Sequence, residues 1–108
     1  MAKITKKQIN DIVVKIAVNI RPDKVILFGS YANGQPGLES DLDILIIKKS
    51  SLRRDKRALE VDDLFADRNF PLDVIVYTPE EVEEFQNMDG SFIGEVLKHG
   101  KVIYKNAV

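Results

Sequence analysis

The stretch from Lys24 to Ile47, KVILFGSYANGQPGLESDLDILII, decides the fold of this chain of 108 residues. It predicts an apolar strand from Val25 to Phe28, a tight Gly29-Ser30 turn, a polar connection, and a second apolar strand that opens with Asp41-Leu42-Asp43. Side chains at positions i and i+2 of a strand leave the same face, so the carboxylates of Asp41 and Asp43 are expected to point together. Two acids at the mouth of a buried strand, close after a glycine-serine turn, indicate a site for a divalent cation and a nucleoside triphosphate.

The case for a cation rests on charge repulsion. Two carboxylates about 4 Å apart repel by ~1 kcal/mol in water and by ~4 kcal/mol at an effective dielectric of about 20. No lysine or arginine lies between Lys24 and Lys48, so a bound metal is the economical source of positive charge. Ligation by oxygen suits Mg²⁺ or Mn²⁺, and Mg²⁺ commonly takes one or two carboxylates together with substrate phosphates.

A structural role for the two acids is the alternative. Asp41 could cap a turn, and Asp43 could be a solubilising charge on an edge strand. The run Ile44–Ile47 has no polar alternation, however, which predicts a strand covered on both faces. Two unused acids on such a strand would be costly, so the functional interpretation is favoured.

The Gly29-Ser30 turn is predicted to bind phosphate. A glycine at a strand end lets the backbone approach a ligand, and N–H groups that open a helical turn attract phosphate oxygens. The Ser30 hydroxyl can add a hydrogen bond. Residues 35–40 form a loop by composition, and Ser40 is expected to bond the backbone there and set the entry of the acidic strand.

The sequence on either side predicts helices and two more strands. A capping box at Thr5–Gln8 starts a helix of about four turns that ends before Pro22. Tyr31–Gly34 is expected to form a turn or two of helix, closed by Gly34 in the left-handed conformation. The connection at 35–40 is too short for a crossover helix, so we expect an α/β (α+β) fold with a small mixed sheet backed by helices. The other predicted elements are an amphipathic helix within 51–69, a strand from Pro71 to Thr78, a helix from Thr78 to about Asn87, a helix from Ser91 to His99 capped by Gly100, and a strand from Lys101 to Lys105.

Some polar side chains outside the acidic strand are given structural roles. The basic residues at the start of the helix within 51–69 are interpreted as a solvated face, with phosphate or partner binding as the alternative. His99, the only histidine, is interpreted as a capping side chain rather than a general base, and Tyr31 as a packing residue rather than a stacking platform for a base. The basic residues are Arg53, Arg54, Lys56 and Arg57.

Length and composition narrow the class of protein. We expect residues 1–108 to form one domain, and the net charge of −1 with a pI of about 5.8 gives no basic footprint for nucleic acid. The chain has no cysteine, which excludes disulfides and thiolate metal sites. No apolar run is long enough for a signal peptide or a membrane span, so a cytoplasmic protein is expected.

The motif resembles the signature of the nucleotidyltransferase superfamily related to DNA polymerase beta. The short length resembles the minimal nucleotidyltransferase branch, commonly the antitoxin partner of a HEPN-domain toxin. The resemblance covers nearly the whole chain. In the family an arginine often follows the Gly-Ser, and the corresponding Tyr31 and Asn33 remove that phosphate contact. The matching residues are Gly29, Ser30, Gly34 and Ser40-Asp41-x-Asp43.

The resemblance implies specific site residues. It makes Asp41, Asp43 and Asp73 the catalytic carboxylates and the ligands of two Mg²⁺ ions, with Mn²⁺ as the substitute. It makes Gly29, Ser30 and Ser40 the nucleotide-binding residues. By alternation Asp73 shares a face with Ile75 and Tyr77, so the sequence alone leaves open whether it meets the other two acids.

The resemblance also implies a reaction: transfer of AMP from ATP, or of another nucleotide from its triphosphate, to a hydroxyl of a HEPN toxin, which we expect to be a tyrosine. One alternative is a non-catalytic antitoxin that covers its toxin. Another is a transferase for small molecules, similar to the aminoglycoside-modifying relatives, which would need a homo-oligomer to build a substrate site. A homo- or hetero-oligomer is compatible with these expectations.

Overall fold

Helices pack on both faces of a mixed β-sheet in the computed structural model, which describes residues 3–37 and 40–106. Within those residues the sheet has four strands in the order β3-β2-β1-β4. β2 and β3 are parallel, whereas β1 runs antiparallel to both β2 and β4. The predicted mixed sheet is confirmed. The elements are α1 (Lys6–Ile20), β1 (Lys24–Phe28), β2 (Leu42–Ile47), α2 (Arg54–Leu64), β3 (Leu72–Tyr77), α3 (Pro79–Phe85), α4 (Phe92–His99) and β4 (Lys101–Lys105).

The two predicted capping boxes are present. The Gln8 N–H donates to Thr5 Oγ1 at 3.1 Å, and the Thr5 N–H donates to Gln8 Oε1 at 2.8 Å. Thr78 and Glu81 exchange the same pair of bonds at 3.2 and 2.8 Å, with Pro79 in the first turn. Each box satisfies N–H groups that the first helical turn leaves without partners, which fixes where α1 and α3 begin.

The strands bury apolar side chains on both faces of the sheet. On one face, which we call the α1 face, the core includes Ile16 from α1 and Val61 from α2. On the opposite face, the α4 face, Ile93 and Val96 of α4 cover the sheet. The residues of β2 alternate between the two cores, and Ile44–Ile47 are all buried, so the prediction of a doubly covered strand is confirmed. None of the helices in the described part of the chain is long and apolar enough to span a membrane.

The structure corrects several local predictions. Tyr31–Gly34 is a hydrogen-bonded turn instead of a regular helix. The predicted left-handed conformation of Gly34 is confirmed, with a φ of 74°, and the Gln35 N–H donates to the Ser30 carbonyl. α2 is shorter than the predicted 51–69 region, and α3 ends at Phe85. In the loop predicted for 35–40, residues 38 and 39 lie outside the described residues.

Gly100 is the predicted cap of α4, but it does not adopt the left-handed conformation common at helix ends. Its φ is −77°, a conformation open to any residue. A Cβ at this position would lie 2.8 Å from Ile26 Cγ2 and 2.6 Å from the Val96 carbonyl oxygen. Gly100 is therefore required by the close approach of the end of α4 to β1.

Candidate functional site

Asp43 and Asp73 lie side by side at one edge of the α4 face. They are register partners in the parallel pair of β2 and β3, so their side chains leave the same face of the sheet. Asp43 alternates with Leu45, and Asp73 with Ile75, both of which belong to or pack against the core beneath α4. Asp73 therefore lies beside Asp43. Asp41 precedes β2, and as the side chains lie in the described part of the chain, the three acids do not form one metal-holding group.

The pKa of Asp43 is affected by its pairing with Asp73. Burial, together with the negative charges of Asp73 and Asp41, raises the pKa of Asp43 to about 6. Asp41 precedes β2 and is exposed. No residue of the described chain forms an ion pair within 4.0 Å with any of these three carboxylates. A positive charge is what this group of acids lacks.

The backbone of Gly29 lies against the Asp43 carboxylate. Gly29 has a φ of 75°, and a Cβ built on it would overlap Asp43 Oδ2 and lie 3.1 Å from Asp43 Cγ. Glycine suits both conditions, because an L side chain at this φ is strained and its Cβ would displace the Asp43 carboxylate. The turn predicted to bind phosphate is thus in direct contact with the acidic strand.

The turn after Gly29 has the arrangement expected for anion binding. The Gly29 carbonyl accepts hydrogen bonds from the N–H groups of Ala32 at 3.1 Å and Asn33 at 3.2 Å. The N–H groups of Ser30 and Tyr31 make no hydrogen bond to any described residue, as expected for the opening of a helical turn. Donors of this kind attract phosphate oxygens.

Ser40 occupies a different position from Ser30. Its hydroxyl accepts a hydrogen bond from the Gly37 N–H at 2.7 Å, and its own N–H donates to the Gly37 carbonyl at 3.3 Å. The predicted backbone bond of Ser40 is confirmed. Its predicted contact with nucleotide stays a prediction.

The chemistry of the donor set fits a divalent cation. As the side chains lie, residues 3–37 and 40–106 contain no group of three or more His, Cys, Asp or Glu able to hold one metal ion. The pair Asp43 and Asp73 nevertheless offers two carboxylates that repel each other and have no cationic partner. Since Mg²⁺ commonly uses one or two carboxylates and completes its shell with substrate phosphates and water, this pair is a suitable donor set.

Two side chains interpreted structurally have partners that the sequence did not reveal. The Tyr31 hydroxyl accepts a hydrogen bond from the Ile4 N–H at 3.0 Å, and its ring packs on the core of the α1 face, which confirms the packing role. His99 Nε2 lies 3.4 Å from Glu95 Oε2, so the imidazole faces a carboxylate one turn earlier rather than capping the last carbonyls of α4.

The solvated-face interpretation is wrong for Arg57 and incomplete for Arg54. Arg57 Nη1 lies 2.6 Å from Glu81 Oε1, and Arg57 also donates to the carbonyls of Leu52 and Val76. Arg54 pairs with Glu81 at 3.1 Å and lies over the ring of Tyr77. These arginines join α2 to α3. A run of charges in sequence cannot show this, because Glu81 lies 24 residues beyond Arg57.

Two cavities lie at opposite ends of β1. The smaller, about 220 Å³, opens beside Gly29 and extends to Phe92 and His99 of α4. The larger, about 410 Å³, lies against Lys24 and α3, at the end of the strands remote from Asp43. Of these two cavities, the smaller is on the side of the acids, because Phe28 in its wall is the register partner of Asp43.

A mixed sheet with two acids on adjacent parallel strands and a glycine-serine turn against them defines a nucleotidyltransferase. The family model described as polymerase beta, nucleotidyltransferase matches residues 7–107. The chain therefore belongs to the polymerase beta nucleotidyltransferase family.

Individual relatives agree with this assignment. A Methanocaldococcus jannaschii protein, provisionally named a protein adenylyltransferase, is 36% identical over 104 residues, which cover 94% of this chain and 96% of the relative. A crystal structure of a toxin–antitoxin with AMP-PNP matches with a TM-score of 0.64 and 22% identity, over 91% of this chain and 73% of the matched chain. A mutant of the toxin–antitoxin MntA-HpeT gives a TM-score of 0.60 at 22% identity, over 91% and 72% of the two chains. At this identity the two crystal structures show the fold.

Proposed function

We propose that this chain transfers AMP from ATP to a hydroxyl of a partner protein, and that the partner is a HEPN-domain toxin that the transfer neutralises. The observation that carries the proposal is the register pairing of Asp43 with Asp73, in contact with the Gly29 turn. The provisional name of the archaeal relative supports a protein acceptor. The toxin–antitoxin structures of the same fold support a toxin as that acceptor.

The reaction is an in-line substitution at phosphorus. The oxygen of the acceptor hydroxyl forms a bond to the α-phosphorus of ATP while the bond from that phosphorus to the β-bridging oxygen breaks. Pyrophosphate leaves, and AMP stays on the acceptor as a phosphodiester. The acceptor proton passes to Asp73, or through it to water, because Asp73 is the exposed member of the pair and can approach an incoming hydroxyl.

The turn is proposed to hold the nucleotide for this step. The N–H groups of Ser30 and Tyr31 bind oxygens of the polyphosphate, and the Ser30 hydroxyl adds a further bond. Gly29 keeps the turn against Asp43, so the α-phosphate is placed at the carboxylates. The reaction is accelerated because ATP and the acceptor hydroxyl are held in the geometry that the transfer needs.

Divalent metal is proposed as the cofactor, with Asp41, Asp43 and Asp73 as the residues that would hold two Mg²⁺ ions. When bound, the metal supplies positive charge to the attacking and leaving oxygens. The pairing of Asp43 with Asp73 supports this assignment, because the two neighbouring carboxylates form no ion pair with a cationic side chain of the described residues.

Label transfer tests the proposal. The purified chain is incubated with ATP labelled at the α-phosphate, with Mg²⁺, and with or without the product of the adjacent gene. We expect label on the partner with the wild-type chain and labelling that is slower by roughly 10³ after Asp43→Asn or Asp73→Asn. Asp63→Asn is the matched control, since Asp63 is exposed on α2, the helix on the opposite face of the sheet.

Two results would contradict the proposal. One is transfer that persists at wild-type rate in both site variants. The other is neutralisation of the toxin by the Asp43→Asn/Asp73→Asn chain without any label on the partner, which would favour a non-catalytic antitoxin.

A further inference from the structure

The cavity beside the Gly29 turn is placed to take a second part of the nucleotide. Phe28 forms part of its wall and is the antiparallel partner of Asp43, so the Phe28 ring and the Asp43 carboxylate stand next to each other on the α4 face. Gly29 lines the same cavity. A nucleotide whose α-phosphate lies at Asp43 can therefore extend into this space without leaving the protein surface.

One wall of the cavity is aromatic. The rings of Phe28 and Phe92 pack edge to face, with centroids 5.5 Å apart and planes at 81°. Phe92 remains 44% exposed, although it is the first residue of α4 and its neighbour Ile93 is fully buried. An aromatic ring held in place by a second ring and open to solvent is a stacking surface for a planar ligand.

The polar groups of the cavity suit a base better than a polyphosphate. Asn33, Glu95 and His99 line it, and Glu95 Oε2 lies 3.4 Å from His99 Nε2. The described residues that line it include a carboxylate and neither lysine nor arginine. A carboxylate repels phosphate but accepts a hydrogen bond from an exocyclic amino group, and an asparagine amide can pair with adenine through a donor and an acceptor together.

We propose that this cavity binds the nucleobase of the substrate, with Phe92 as the stacking residue and with Asn33 and Glu95 selecting a base that carries an exocyclic amino group, adenine first. The inference rests on the proposed function, since it names the part of the nucleotide that the same site would hold. In this orientation of the bound nucleotide, the polyphosphate lies on the Gly29-Ser30 turn and the base points toward α4.

Nucleotide binding by calorimetry tests the stacking role. The intact chain is titrated with ATP, UTP and inorganic tripolyphosphate in Mg²⁺. Phe92→Ala is expected to weaken ATP about ten-fold and to leave tripolyphosphate unchanged, because base stacking contributes ~1–3 kcal/mol per base. Phe92→Trp is expected to restore ATP affinity. Met88→Ala is the matched control, since Met88 is a similarly exposed apolar residue, at 56%, outside the residues that line the cavity.

Substitutions of Asn33 and Glu95 test whether these residues select the base. In the wild-type chain ATP is expected to bind at least ten-fold more tightly than UTP, and Asn33→Ala or Glu95→Gln is expected to reduce that ratio several-fold. Unchanged ATP affinity in Phe92→Ala, or an equal loss for ATP and tripolyphosphate, would overturn the subsite. Normal ATP binding with impaired transfer to the partner would also overturn it and assign the cavity to the acceptor.

The two proposals fail in different ways. If the wild-type chain binds ATP with the predicted dependence on Phe92 but labels no partner, the base subsite stands and the transfer reaction does not. If label is transferred and Phe92→Ala binds ATP like the wild type, the reaction stands and the subsite does not.

Discussion

Asp43 combines two features that oppose ordinary stability. It is partly buried beside other acids, which raises its pKa to about 6, and the backbone of Gly29 is pressed against its carboxylate. Neither feature improves packing, and natural proteins retain such local costs mainly at functional sites. These two features of Asp43 therefore support a ligand-binding role for this residue independently of the family.

Removing the charge of Asp43 should stabilise the metal-free protein above pH 6. A carboxyl whose pKa is raised on folding contributes stability below its unfolded pKa, near 3.8, and loses that contribution as the pH rises through about 6. Asp43→Asn is expected to gain about 1 kcal/mol at pH 8, after allowance for solvent screening, and nothing at pH 3.5. Thermal unfolding in EDTA at the two pH values measures the difference. An Asp43→Asn gain that is equal at both, or that Asp63→Asn reproduces, would contradict the explanation.

Gly29 and Gly34 share a backbone conformation, so substituting each one separates the cost of backbone strain from the cost of steric contact. Gly29 and Gly34 have φ values of 75° and 74°, but a Cβ would overlap Asp43 at the first and meet nothing within 4 Å at the second. Gly34→Ala is expected to cost about 1 kcal/mol of unfolding free energy, and Gly29→Ala to cost more, because the Asp43 carboxylate must also turn away from the new Cβ. Denaturant titration compares them. Equal losses would show that the approach of Gly29 to Asp43 is looser than the structure has it.

At the scale of elements, α2 and α3 are joined by a nearly buried ion pair. The Arg57 side chain is 11% exposed and that of Glu81 is 22% exposed. Burial raises the pKa of Glu81, but the hydrogen bond from the Thr78 N–H and the guanidinium groups of Arg57 and Arg54 outweigh it and lower the pKa to about 2. Glu81 therefore serves both the α3 capping box and the contact with α2.

Arg57→Met should lower the free energy of unfolding by an amount that depends on pH. It is expected to cost about 2 kcal/mol at pH 7, because the variant leaves Glu81 partly buried without its nearest cationic partner. A carboxyl with a lowered pKa contributes stability above its unfolded value of 4.5 and loses it as the pH falls toward 2, so the cost should narrow below about pH 4. Urea unfolding at pH 7 and pH 3 measures it. The exposed Lys56→Met is the control, and a cost for Arg57→Met independent of pH would contradict the role of Glu81.

Features held by contacts between residues close in sequence could be predicted, whereas features held by distant residues could not. Capping boxes at Thr5 and Thr78 span three residues and leave a complete local pattern, so the starts of α1 and α3 were predictable. Arg57 and Glu81 leave no such pattern. The end of α4 at His99 was predicted, but the close approach of Gly100 to Ile26 depends on a tertiary contact that local reasoning does not show.

At the scale of the whole molecule, the sheet determines whether the predicted acids can act together. The spacing of Asp41 and Asp43 could be interpreted within one strand, but the position of Asp73 depends on the register between β2 and β3, which are separated by α2. Alternation fixes which neighbours share a face with Asp73, not which strand lies beside it. The family resemblance supplied that expectation, and the sheet gives it a geometry.

The rate of AMP transfer in a double-mutant cycle of Asp43 and Asp73 tests the central claim that the paired acids work as one site. Asp43→Asn and Asp73→Asn should each slow transfer by roughly 10³, equivalent to ~4 kcal/mol, and the double variant should be little slower than either one. Retention of most of the wild-type rate by either single variant, or a double-variant loss near the product of the two single losses, would contradict it.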